Sequence, residues 1–112
     1  DKFLQLPKPP DAVFAVEDFT ALGVIQELKR RHVLIPGEFG VIGFANERFG
    51  EYITPSLSTI DQQTVKMGEE AFSLLYKLIG NKGKKEMAVH TTVLEPIPVY
   101  RESSAGKKNK KQ

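Results

Sequence analysis

The chain has 112 residues, 40% of them hydrophobic and 27% charged, with a formal net charge of +2 and no cysteine. That length is one domain or part of one, with material for a single core. The lack of cysteine excludes disulfides and thiolate metal sites, and no apolar run approaches the ~20 residues of a membrane span.

Residues 1–10 contain Pro7, Pro9 and Pro10 and read as an extended lead-in segment. No signal peptide is visible, and the start at Asp1 is abrupt, as expected of a fragment. Residues 12–16, Ala-Val-Phe-Ala-Val, are five apolar residues in a row, the pattern of a strand buried on both faces. A helix is expected over 19–31, with Asp18 as its N-cap and Ala21, Leu22, Ile25 and Leu28 as its apolar stripe. Gly23 lowers helix propensity and is expected to permit close backbone packing. Ile35-Pro36-Gly37 turns the chain into a second strand at 39–44. A short helix is expected over 47–53, and Thr54-Pro55-Ser56 forms a turn, since proline fixes its own φ and biases the preceding residue.

A third strand is expected over 57–60. A helix over 64–79 follows from apolar positions Gly68, Ala71, Phe72, Leu75, Leu78 and Ile79 at a 3.6 period, with Gly80 as the stop. Residues 81–85 are a polar connection, 88–94 alternate as a strand does, and 97–101 form a last edge segment. Lys107, Lys108, Lys110 and Lys111 make 104–112 a disordered basic tail rather than a nucleic-acid arm. Residues 11–103 are then the folded part. The alternation of strands and helices predicts an α/β fold with right-handed crossovers: a partial doubly wound, mainly parallel sheet with flanking helices.

If the first three strands are parallel neighbours, their ends present Glu17-Asp18, Ala45-Asn46 and Asp61-Gln62 on one rim. Open α/β sheets bind ligands outside the carboxyl ends of their strands. Convergent amides and carboxylates suit a polyhydroxylated or heterocyclic small molecule, which needs directional donors and acceptors. Each residue also has a plainer reading: Glu17 as a solvent-facing loop residue, Asn46 as a turn former, Gln62 as a linker residue. Catalytic chemistry has no motif. His32 and His90 lack metal spacing, and there is no G-x-S-x-G or phosphate-binding glycine loop. Leu22, Phe49, Tyr52 and Ile53 are more apolar than a solvated surface requires, and fit either core packing or an association face.

The ordered series Glu17-Asp18, Ala21-Leu22-Gly23, Ile35-Pro36, Gly43-Phe44, Thr54-Pro55, Leu57-Ser58-Thr59-Ile60, Gln62, Met67-Gly68 and Ala71 resembles the C-terminal part of the LacI/GalR family of bacterial transcription regulators. The resemblance covers residues 11–103. It implies a periplasmic-binding-protein-like effector domain, with the DNA-binding head and most of the effector domain preceding this chain. It implies effector contacts at Glu17, Ala45 and Gln62, with Met67 lining the cleft, and a homodimer face including Leu22 and Ile53. It also implies a cytoplasmic protein, without a cofactor, that reaches DNA only through its absent head. Glu17 stands where asparagine is common in the family, and Ala45 where an aspartate often anchors the ligand; Asn46 or Arg48 is then the substitute anchor. Near Gln62 the chain would pass to a second subdomain, leaving the helix over 64–79 without its packing partners. An exported, monomeric sugar-binding protein of the same fold and an α/β enzyme are the other two readings. A helix-turn-helix or a signal peptide upstream separates the regulator from the exported protein.

Overall fold

The computed structural model describes residues 2–81 and 90–106. The order is β1 (Ala12–Phe14), α1 (Asp18–Arg30), β2 (Gly40–Ile42), a 3₁₀ turn (Arg48–Glu51), β3 (Thr59–Asp61), α2 (Thr64–Gly80), β4 (Ile97–Val99) and a 3₁₀ turn (Glu102–Ser104). A further 3₁₀ turn covers Lys2–Gln5. The lead-in is therefore not extended at its start: Leu4 is drawn onto the core, which favours a tight turn there.

β1 and β2 pair in parallel with Ala12 opposite Gly40 and Phe14 opposite Ile42. Ile42 then bridges Ser58 in parallel, so the first three extended segments run the same way, as a doubly wound sheet requires. β4 reverses this and lies antiparallel to β3, with Thr59 opposite Val99. The core is Ala15, Ala21, Ile25, Leu28, Phe39, Val41 and Leu57. Three of these are the expected stripe of α1, pressed onto the sheet; the fourth, Leu22, is half-buried at its edge.

Four local expectations fail. Asp18 does not cap α1. Glu17 does, its carboxylate accepting from the backbone N–H of Phe19 and Thr20. The longer side chain folds back from extended backbone to reach the first turn, which frees Asp18 to point inward. Gly23 makes no close contact: a side chain there meets nothing within 4 Å, because this face of α1 opens into an apolar groove of about 740 Å³ beside Val13, Val24 and Phe39. The strand expected over 88–94 is absent from its described part, 90–94, and positions 88 and 89 lie outside the described residues. Alternation gives a segment strand propensity but not a neighbour, and a strand forms only with one. Finally, the domain boundary at 103 is too early, since Ser104 belongs to a turn and its hydroxyl donates to Ser58 Oγ at 2.7 Å. The connection at 82–85 and the lysine tail fall outside the described residues.

α2 forms as its period predicts, but none of its residues is buried. Phe72 is 67% exposed, Tyr76 72% and Ile79 57%. The radius of gyration is 20.2 Å, against about 13 Å for a compact domain of this length. The excess reflects a helix that leaves the α1–sheet body instead of packing on it.

Candidate functional site

The site is organised from beneath by Asp18. Its side chain is fully buried; Oδ1 accepts from the Thr59 hydroxyl at 2.7 Å and Oδ2 from the Glu47 backbone N–H at 2.7 Å. A buried carboxylate is tolerated only when its lone pairs are satisfied, and these two donors do that. One side chain thereby ties the start of α1, the loop after β2 and the start of β3. Gly43 is the clearance for it, since a Cβ at that position would collide with the Asp18 carboxylate.

Directly above, the chain leaving β2 takes two consecutive positive φ values, 122° at Ala45 and 56° at Asn46. Such backbone is costly for a side-chain-bearing residue and is held here by its surroundings. Ala45 N–H donates to Ile60 O at 2.9 Å, and Asn46 N–H to Thr59 Oγ1 at 3.1 Å. The turn brings the Asn46 side chain to β3, where Nδ2 donates to Asp61 Oδ2 at 3.3 Å. Asp61 Oδ1 accepts from the Gln63 backbone N–H at 2.7 Å. Gln63, itself at φ 56°, donates through Nε2 to Glu95 O at 2.7 Å. The strand leaving the sheet and the segment returning to it are thus joined side by side.

These residues wall an open cleft of about 580 Å³, lined by Ala45, Asn46, Asp61, Gln63, Lys66 and Glu69 among others. Of the residues predicted from sequence, Ala45 and Asn46 line it. Glu17 is engaged as the cap of α1, Gln62 is half-buried beside the cleft lining, and Met67 lines a separate groove between α2 and Leu94. The Thr20 hydroxyl, accepted by Glu17, holds the Glu17 carboxyl below its usual range; loss of solvent opposes this and the backbone N–H of Phe19 and Thr20 assist it. Sequence reasoning noticed Asp61 as a strand end but did not single it out, and it missed Gln63. The signal for Asp61 was its position at the strand terminus; for Gln63, whose role depends on a positive φ, there was none. The cleft wall carries Asp61, Glu69 and Glu70 against Lys66, an acidic balance that disfavours anionic ligands. Among the described residues no cluster of His, Cys, Asp and Glu could hold a metal ion.

Phe49 packs on Phe19 with ring centroids 4.8 Å apart, and Ile53 lies against the core. Tyr52 is 77% exposed. Among the described residues no helix is long and apolar enough to cross a membrane.

The sequence matches the family described as a periplasmic binding protein-like domain over residues 1–104. It is similar to the HTH-type transcriptional repressor PurR of Vibrio cholerae serotype O1 (strain M66-2), 33% identical over 97 residues, covering 85% of this chain and 29% of that protein. A LacI-family transcriptional regulator from Sanguibacter keddieii DSM 10542 superposes with a TM-score of 0.86 at 32% identity, over 94% of this chain and 39% of that one. A LacI-family regulator from Enterococcus faecium with bound ribose does so with a TM-score of 0.79 at 30% identity, over 93% and 37%. The chain therefore spans less than two fifths of the length of each of these relatives.

Proposed function

This chain belongs to the periplasmic binding protein-like domain family, in its LacI/GalR branch, and from that membership we propose that it is the effector-sensing and dimerising part of a transcription regulator. The observation that carries the proposal is the Asn46–Asp61–Gln63 cluster, which puts a donor, a carboxylate and an amide at the carboxyl ends of two parallel-running segments. A neutral ligand rich in hydroxyl or ring-nitrogen groups fits that cluster, and the acidic wall argues against phosphorylated ones. A bound ribose in a similar regulator supports a pentose, and a purine base presents the same kind of polar edge. Gln62, half-buried beside the lining, adds to the contact set.

The ligand is bound and released unchanged. It acts by preferring one relative orientation of the two subdomains, and can shift that equilibrium only by its difference in affinity between them. A DNA-binding head in the whole protein reports the change in the cytoplasm. Leu22, Phe49, Tyr52 and Ile53 form the face on which two copies meet, as two heads on two half-sites require. Calorimetric titration of the whole protein with D-ribose and with adenine tests this. The expected result is saturable binding of one of them, lost in Asp61→Ala. Binding of neither, or turnover of either, overturns the reading.

A further inference from the structure

Arg101 lies outside every site discussed so far, yet its side chain is only 14% exposed. Nη1 donates to Leu57 O at 2.8 Å. Nη2 donates both to Asn46 Oδ1 at 3.0 Å and to Glu51 Oε1 at 3.1 Å. Its backbone N–H donates to Ser58 Oγ at 2.7 Å, so the residue is anchored at both ends. The amide of Asn46 is thus held between a guanidinium, which only donates, and the Asp61 carboxylate, which only accepts. The reversed amide would set its NH₂ against the guanidinium and its oxygen against the carboxylate, losing both bonds at once. The donor and acceptor chemistry of the two neighbours therefore fixes which way the amide points.

We infer that Arg101 is a positioning residue that sets the polarity of the ligand cleft: it holds the Asn46 oxygen to itself, so that position 46 offers a bound molecule an N–H donor. Asn46 has a second N–H beyond the one given to Asp61. With the free lone pairs of Asp61 it makes an adjacent donor–acceptor pair on the cleft wall. The molecule recognised there carries an acceptor next to a donor, as neighbouring hydroxyls or the edge of an aminated heterocycle do. This rests on the cleft being the ligand site.

The test uses the whole protein and two readouts. In the first, the Asn46 side-chain NH₂ resonances are followed by NMR without ligand. Lysine lacks the planar fork by which two nitrogens of Arg101 reach separate acceptors, so Arg101→Lys is expected to shift and broaden that pair, whereas Glu51→Gln, which keeps the Arg101–Asn46 bond, leaves it in place. If Arg101 is only a structural strut, Arg101→Lys lowers the Tm and the pair does not move, which overturns the inference. In the second, Asn46→Asp retains an oxygen for Arg101 but turns the cleft-facing donor into an acceptor. It is expected to weaken binding of whichever of D-ribose or adenine the wild type takes by about tenfold or more, with Arg101→Lys falling in the same direction. Undiminished binding by Asn46→Asp overturns the donor assignment. Absence of any binding by the wild type removes the cleft reading instead, and the resonances still decide the orientation of the amide.

Discussion

At the scale of single residues, the site depends on a buried carboxylate and the space left for it. Gly43 has no conformational duty beyond that clearance; it keeps its place because Asp18 occupies the volume a methyl would fill. Gly43→Ala is expected to lower unfolding stability by about 3 kcal/mol, because both neighbours are pinned and neither can give. The check is a urea midpoint, with Asp18→Ala alone and Gly43→Ala/Asp18→Ala beside it: the double variant should be less destabilised than the sum, as expected for a pair in contact. Two hydrogen-bonded carboxylates give a pH dependence. Glu102 accepts from the Ser56 backbone N–H at 2.8 Å and from its hydroxyl, and both hold its carboxyl below the usual range; Glu17 is held low chiefly by the Thr20 hydroxyl. A lowered folded-state value means the contribution is present above the ordinary glutamate range and disappears as pH falls through the folded-state value. Melting temperature should therefore drop between the ordinary glutamate range and lower pH. Glu17→Gln and Glu102→Gln should each flatten the decline.

At the scale of elements, the least anticipated is the segment Arg101-Glu102-Ser103-Ser104. The sequence reading treated it as the end of an edge segment and the start of a tail. It is instead a clip across the sheet. Ser103, fully buried, donates to Val41 O at 2.6 Å and accepts from Ser58 N–H at 2.8 Å, and its own N–H donates to Ser56 O at 2.9 Å. It joins β2 to the start of β3 beside their parallel bridge at Ile42 and Ser58. Ser103→Ala strands a buried carbonyl and a buried N–H, and should cost about 2–4 kcal/mol. Ser103→Thr keeps the hydroxyl and should recover part of that. Hydrogen exchange is the sharper measurement, since the loss should concentrate at Val41, Gly43 and Ser58.

At the scale of the whole molecule, the chain is two unlike parts. The α1–sheet body has a small core, while α2 buries none of its residues and presents Val65, Phe72, Leu75, Tyr76 and Ile79 to solvent. An apolar surface of that kind marks a missing partner. This 112-residue chain by itself should associate as its concentration rises, and Phe72→Ser with Leu75→Ser should reduce the association without altering the helix content. Sedimentation equilibrium and circular dichroism together check this; a wild-type chain that stays monomeric at high concentration would show that the face is covered internally.

Periodicity and runs were enough to locate α1, α2 and the parallel β1–β2 pair, because each reports a face buried locally. The ordered motifs gave the family, and strand termini gave Ala45 and Asn46 as wall residues of a polar cleft. Contacts between distant residues were beyond reach: Asp18 under Gly43, Arg101 behind Asn46, Ser103 between two strands, each joining positions more than twenty residues apart. Local pattern encodes which surface an element hides, whereas the partner of a buried polar group is chosen only when the folded chain brings a matching donor or acceptor within 3 Å. That is why the sequence by itself determined the kind of fold and pointed to two residues of the cleft wall, and the tertiary structure alone decided which side chains hold that wall in shape.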